Sequence, residues 1–166
     1  MKLSLFEISD WQEFENLVAD YFRMVKDDDG NDVFDVEVKL SGTGADGGRD
    51  ILLTVLVRDS VVTFKRRWVV QCKFYSRSVS KSHISDVNIP SLIHEYKADG
   101  YLLICKTTAQ SELTRSFELL SQNCKFGYRY EIWTGDEFGL KVFDIKPLVE
   151  KYFPDFYYNY FPNIKS

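Results

Sequence analysis

The segments Asp46-Gly47-Gly48-Arg49-Asp50 and Gln71-Cys72-Lys73 decide the fold that we expect for this chain. Apolar, β-branched runs follow or surround them, which predicts two strands, over residues 51–57 and 68–75, joined by a short turn. A hairpin centred near residues 60 and 61 places Asp50 opposite Gln71, with their Cβ atoms about 5 Å apart. Because alternate side chains of a strand share one face, Gln71 and Lys73 should lie together, with Cys72 on the other face.

Such a hairpin would bring a carboxylate, an amide oxygen and an ammonium group to one point. Asp50 and the carbonyl oxygen of Gln71 suit Mg²⁺, which takes oxygen ligands and keeps several waters. Lys73 would orient or deprotonate an attacking water, or stabilise the charge that builds up on a phosphate under attack. Each motif alone also fits a turn or a solvent-exposed strand edge. Their combination favours a site that hydrolyses phosphodiester bonds.

The rest of the chain predicts one α/β domain, with elements in the order α-β-β-β-α-β-α-β-α. This order indicates a mixed central sheet flanked by helices. A capping box from Ser9 to Gln12 precedes the first helix, and Pro90 lies either near the start of the second helix or at a break in it. Besides the hairpin, the pattern predicts helices over residues 10–24, 82–97 and 111–121, strands over 34–40, 100–105 and 128–134, and a short helix from 135.

Composition limits the class of protein. Apolar residues make up 45% of the chain and aromatic residues 16%, which excludes global disorder and predicts a sizeable core. The chain has no apolar run of about 18 residues and no signal-peptide pattern, so we expect a cytoplasmic protein without a membrane segment. Its three cysteines lack zinc-site spacing, which predicts reduced thiols.

The charge distribution points to a phosphate-facing surface. A net charge of −4 argues against a uniformly basic nucleic-acid binder, yet residues 61–81 contain only cationic charges. The stretch fits either an ordinary solvated hairpin or a DNA-contacting surface, and its overlap with the Gln-x-Lys segment favours the second. The candidate DNA-binding residues are Lys65, Arg66, Arg67, Arg77 and Lys81.

These residues resemble the Mrr-like restriction endonucleases of the PD-(D/E)xK nuclease superfamily. The resemblance rests on Phe14-Glu15 in the first helix, on the Asp-Gly-Gly-Arg-Asp motif that ends at Asp50, and on Gln71-Cys72-Lys73. It implies a restriction-endonuclease-like fold and a Mg²⁺-dependent endonuclease, with Mn²⁺ as the alternative ion, that acts on double-stranded DNA.

The resemblance also adds Glu15 to the candidate site. From helical spacing alone, Glu15 fits a solvated position beside the apolar stripe of the first helix. The family pattern implies instead that its carboxylate reaches over the sheet to the metal. The implied catalytic set is Glu15, Asp50, Gln71 and Lys73, of which Glu15, Asp50 and Gln71 would be metal ligands.

The C-terminal segment predicts contact with a neighbour. We expect a nuclease domain over residues 1–145 and an aromatic tail over 146–166, which resembles the junction of Mrr-like nucleases with a larger sensor protein. A defence effector, antiphage or restriction, that self-associates or joins such a partner is therefore expected. Two alternatives stay open: an idle nuclease fold used for DNA binding or assembly, and a structure-selective nuclease of the Holliday-junction type.

Overall fold

The computed structural model of the chain describes residues 2–25, 32–40, 49–85 and 87–161. The predicted polar turn at residues 27–31 and the glycine-rich loop at 41–48 lie outside the described residues. Asp50 is described through its backbone alone.

A five-stranded mixed sheet forms the centre of the described structure, with the strands in the order β1-β2-β3-β4-β5. An antiparallel meander comes first, and two further strands then run parallel to β3. This sheet, with helices on both faces, confirms the predicted α/β class. The strands are β1 (Asp32–Leu40), β2 (Arg49–Arg58), β3 (Thr63–Lys73), β4 (Gly100–Cys105) and β5 (Arg129–Trp133).

The β2–β3 hairpin has the predicted register. Its pairs run from Ile51 with Val70 to Arg58 with Thr63. The Asp59 carboxylate accepts hydrogen bonds from the two backbone N–H groups of residues 61 and 62, at 2.8 and 2.7 Å, and this closes the turn. Strand β3 begins at residue 63, earlier than the predicted 68, because backbone pairing continues through polar residues that face solvent.

The helices follow the predicted order, with local differences. They are α1 (Trp11–Met24), α2 (Ile89–Glu95), α3 (Ser111–Asn123), α4 (Gly135–Phe143), α5 (Lys146–Tyr152) and α6 (Pro154–Tyr160). The capping prediction at Ser9 was off by one residue, since the Asp10 side chain accepts from the Glu13 N–H at 2.7 Å. None of the described helices has both the length and the apolar character that a bilayer crossing requires.

The single helix predicted over residues 82–97 is wrong, because the segment divides. A 3₁₀ turn covers Lys81–Ile84, and α2 begins after Asn88, whose side chain accepts from the Ser91 N–H at 3.1 Å. Pro90 lies in the first turn of α2, where its missing N–H costs no hydrogen bond.

Two apolar clusters cover the two faces of the sheet. The α1 face packs against α1, α4 and α5, and the α3 face packs against α2 and α3. Alternation along the strands assigns side chains to each face. The α1 face includes Ile51, Leu53, Val70, Leu102 and Ile104. The α3 face includes Leu52, Val69, Tyr101, Leu103 and Cys105.

The start of α4 packs closely against the chain that leaves β4. The Gly135 N–H donates to the Thr107 carbonyl at 2.6 Å. A Cβ on Gly135 would lie 1.9 Å from the Lys106 carbonyl oxygen, so only glycine allows this approach. The contact holds α4 against the edge of the sheet where β3 and β4 end.

Helix α5 is held to α1 by Asp20. Its carboxylate accepts from Lys151 Nζ at 2.7 Å and from the Tyr152 hydroxyl at 2.5 Å, and it pairs with Arg23 at 3.0 Å. Burial acts to raise the pKa of Asp20, but the hydrogen bonds from these three side chains outweigh it and hold that pKa below its usual value.

The first part of the predicted tail belongs to the core. Leu148, Val149 and Phe153 are fully buried in the same cluster as α1. The predicted division at residue 145 therefore falls between two helices, α4 and α5, that share one core. Helix α6 has no buried residue, and its Tyr158 is 64% exposed. A junction with a partner domain stays a prediction.

Candidate active site

Gln71 and Lys73 lie at the C-terminal end of β3 and share the α3 face. Val69, two residues before Gln71, is fully buried in the cluster of that face, whereas Cys72 packs against the α1-face cluster. This alternation is the one predicted from the sequence. It places an amide and an ammonium group side by side at the end of the sheet.

The backbone of Asp50 agrees with the predicted juxtaposition. Asp50 pairs with Lys39 in β1, and the β2–β3 ladder begins one residue later, at Ile51 with Val70. One more step in that register aligns Asp50 with Gln71. The Asp50 side chain lies outside the described atoms, so its role as a ligand stays a prediction.

The side chain of Gln71 has a partner that the sequence did not reveal. The hydroxyl of Tyr101, from the neighbouring strand β4, donates a hydrogen bond to Gln71 Oε1. Tyr101 is fully buried and pairs in register with Val69. The only signal in the sequence is a tyrosine in an otherwise apolar strand, which usually has a partner for its hydroxyl.

Lys73 lies against the end of β4. Its carbonyl accepts from the Lys106 N–H at 3.0 Å, and it pairs in register with Cys105. Burial raises the pKa of the Cys105 thiol to about 12, although the nearby charge of Lys73 opposes the shift. The thiol therefore stays protonated at neutral pH and supplies neither a nucleophile nor a metal ligand.

Glu15 is buried at the same end of the sheet but approaches from the other face. It is 6% exposed, so the solvated position that helical spacing alone suggests is wrong. The ring of the preceding Phe14 lies 5.9 Å from that of Phe74, the residue after Lys73. Since α1 covers the face opposite Gln71 and Lys73, the Glu15 carboxylate can approach them only round the end of the sheet.

The first three predicted DNA-binding residues do not form one surface. Alternation places Lys65 and Arg67 on the α3 face, with the candidate site, and Arg66 on the α1 face. Lys65 Nζ lies 4.1 Å from the ring centre of Phe34, and an Arg67 Nη atom lies 3.9 Å from the Glu37 carboxylate. Arg66 is instead near the ring of Phe64, at 5.9 Å.

The other two predicted DNA-binding residues, Arg77 and Lys81, follow β3 and are exposed near the end of the sheet that carries Lys73. The Arg77 carbonyl accepts from the Thr107 hydroxyl at 2.7 Å, and Ser78 and Thr108 share a hydroxyl hydrogen bond at 2.7 Å. These contacts tie the segment to the chain that leaves β4. All five cationic residues stay predictions as DNA contacts.

The described donors suit a hard divalent cation. Gln71 offers a neutral oxygen and Glu15 a buried carboxylate, and a buried carboxylate is stabilised by a nearby positive charge. Among the described side chains no group of three or more His, Cys, Asp and Glu residues forms a metal site. The side chain of Asp50 is outside that set. Oxygen donors at this edge therefore fit Mg²⁺ better than a soft metal.

Comparisons with known proteins agree with this architecture. The family model Mrr_cat, described as a restriction endonuclease, matches residues 7–138. The fold is similar to that of the DNA modification-dependent restriction endonuclease AspBHI, with a TM-score of 0.57 and 13% identity. The match covers 91% of this chain and 35% of AspBHI. None of the curated proteins matches the sequence significantly. The match over most of its length shows that the chain belongs to the Mrr restriction endonuclease family.

Proposed function

We propose that this chain is a Mg²⁺-dependent endonuclease that hydrolyses phosphodiester bonds in double-stranded DNA. Membership of a restriction endonuclease family supports a nuclease that acts on DNA. The observation that carries the proposal is the common face of Gln71 and Lys73, in a register that aligns Asp50 with Gln71. This is the arrangement that metal-assisted hydrolysis requires.

In the proposed reaction, water adds to phosphorus and one P–O ester bond breaks, which leaves a phosphomonoester and an alcohol. Glu15, Asp50 and Gln71 would hold Mg²⁺, or Mn²⁺ as the alternative. When bound, such an ion polarises the phosphate and lowers the pKa of coordinated water. Lys73 orients the attacking water and stabilises the negative charge that builds up on the phosphate oxygens.

The DNA would lie along the α3 face of β3. Lys65 and Arg67 are on this face, and Arg77 and Lys81 extend the positive charge past the catalytic end. With about 3.3 Å per strand residue, Lys65 lies about 20 Å from Gln71. Contacts over that distance would hold a duplex along the strand while its scissile phosphate lies beside Lys73.

A defence role, with activity controlled by assembly, completes the proposal. One chain offers one candidate site, whereas cutting both strands requires two sites or one site used twice, and two-fold pairing is the commonest solution. The chain spans about a third of AspBHI, so a partner sensor domain is compatible with its size. The exposed aromatic residues of α6 would contact such a partner or a second copy.

A plasmid assay tests the proposed activity. Supercoiled DNA should be nicked or linearised with Mg²⁺ and stay intact with chelator. Lys73→Ala should slow cutting at least about 100-fold, because Lys73 acts mainly in the transition state. Lys125→Ala removes an exposed lysine remote from Gln71 and serves as the control. Both variants should keep the parental circular dichroism spectrum.

The outcomes separate the alternatives. Cutting by Lys73→Ala at the parental rate would show that the active-site assignment is wrong. A parent protein that binds DNA but cuts nothing with Mg²⁺ or Mn²⁺ would favour an idle nuclease fold. Preference for a four-way junction over a linear duplex of equal length would favour the structure-selective alternative. A rate that rises more steeply than protein concentration would support activation by pairing.

A further inference from the structure

We infer that Tyr101 is a positioning residue that selects the orientation of the Gln71 side-chain amide, and thereby raises the affinity of the site for its divalent cation. The inference rests on the proposed function, because it uses Gln71 as a metal ligand. It adds a residue to the site that belongs to none of its sequence motifs.

The hydroxyl of Tyr101 is held in place by the core. Tyr101 is fully buried in β4, and its ring packs against that of Phe117 from α3, with 5.8 Å between ring centres. The parallel pairing of β3 with β4 sets Tyr101 beside Val69, two residues before Gln71 on the same face. From this rigid position the hydroxyl donates to Gln71 Oε1. The amide of Gln71 is therefore oriented by a group that cannot follow it if it rotates.

The chemical need for such a group follows from the amide itself. A glutamine amide has an oxygen that accepts and an NH₂ group that donates, and the two ends have nearly the same shape. The oxygen has two lone pairs, so it can accept from Tyr101 and still coordinate a cation. The opposite orientation would present N–H donors to the metal and would repel it. A tyrosine hydroxyl that donates to Oε1 selects the orientation that can bind metal.

A carboxylate at the same position would not need this selection. Its two oxygens are equivalent acceptors, so either orientation presents an oxygen to the cation. The effect of Tyr101 should therefore depend on the presence of an amide at position 71. A double-mutant cycle between Tyr101→Phe and Gln71→Glu measures this dependence.

The test is Mg²⁺ binding by calorimetry to the whole chain, without DNA and without turnover. Tyr101→Phe should weaken Mg²⁺ binding by about three- to tenfold, which corresponds to the usual net contribution of one hydrogen bond. In the Gln71→Glu background the same change should alter the affinity by less than about twofold. Nitrogen-15 NMR of the metal-free protein should also show a shifted Gln71 side-chain amide in Tyr101→Phe.

Tyr130→Phe provides the matched control. Tyr130 pairs in register with Tyr101 in the next strand and is 9% exposed, and its hydroxyl interacts with Cys124 instead of Gln71. The control also removes a largely buried hydroxyl from the α3 face. It should leave both the Mg²⁺ affinity and the Gln71 amide signals unchanged.

The failures can be told apart. If Gln71→Ala leaves the Mg²⁺ affinity unchanged, Gln71 is not a ligand, and the proposed ligand set fails together with this inference. If Gln71→Ala weakens binding but Tyr101→Phe does not, only the role of Tyr101 is refuted. An equal loss of affinity in Tyr101→Phe and Tyr130→Phe would show a general effect of core hydroxyls and would also overturn it.

Discussion

Lys65 and Arg66 are adjacent cations on opposite faces of β3, and single changes to each test where DNA binds. If the duplex lies along the α3 face, Lys65→Ala removes a phosphate contact and Arg66→Ala does not. The two variants lose the same charge from neighbouring positions. Each therefore serves as the control for the other, and a nonspecific effect of net charge would change both equally.

The structure sets the expected magnitude. One lost phosphate contact should reduce the slope of log K against log salt by about 0.9. The affinity lost in Lys65→Ala should then be about 3.5-fold larger at about 50 mM salt than at about 200 mM. Because Lys65 lies about 20 Å from Gln71, cutting at saturating DNA should keep the parental rate.

Fluorescence anisotropy with a labelled duplex measures these slopes, with Lys73→Ala in the background to prevent cleavage. Lys65→Ala should flatten the salt dependence, while Arg66→Ala keeps the parental slope. An equal flattening in both variants would refute binding along the α3 face. A parental slope in Lys65→Ala would show that its contact with Phe34 is only structural.

Three further predictions concern the metal, the pH dependence and the fold. Gln71→Glu adds a formal charge and should tighten Mg²⁺ binding in calorimetry; unchanged affinity would argue against Gln71 as a ligand. Asp20→Asn should lower the free energy of unfolding at neutral pH by about 1–2 kcal/mol. Because the folded pKa of Asp20 is depressed, this difference should be constant above about pH 4 and disappear as the pH falls through the folded value, which urea unfolding at several pH values would show or contradict. Gly135→Ala should cost about 2–3 kcal/mol and lower Tm by about 5–10 °C, since its Cβ would overlap the Lys106 carbonyl; an unchanged Tm would mean that α4 moves away freely.

The sequence predicted the fold well where a local pattern controls it. The hairpin register follows from the short turn at Asp59, so the alignment of Asp50 with Gln71 could be read in advance. The common face of Gln71 and Lys73 follows from strand alternation. The divided helix around Pro90 was harder, because its start depends on the Asn88 cap and not on apolar spacing.

Contacts between distant segments could not be predicted in this way. The burial of Glu15 depends on how α1 lies across the end of the sheet, which helical spacing does not specify. The hydrogen bond from Tyr101 to Gln71 depends on the parallel pairing of β3 with β4, across 30 positions of sequence. Likewise, Leu148 enters the core only because α5 packs against α1, so an aromatic-rich segment was read as a tail.

The position of Cys105 gives the protein a chemical reporter of motion at its candidate catalytic edge. This thiol is fully buried beside Lys73, and its pKa of about 12 leaves almost no thiolate at neutral pH. A thiol reagent can therefore modify it only when the ends of β3 and β4 separate. The rate of labelling at Cys105, followed by mass spectrometry, would report how often this edge opens, and its slowing by Mg²⁺ or DNA would measure how far each ligand holds the edge closed.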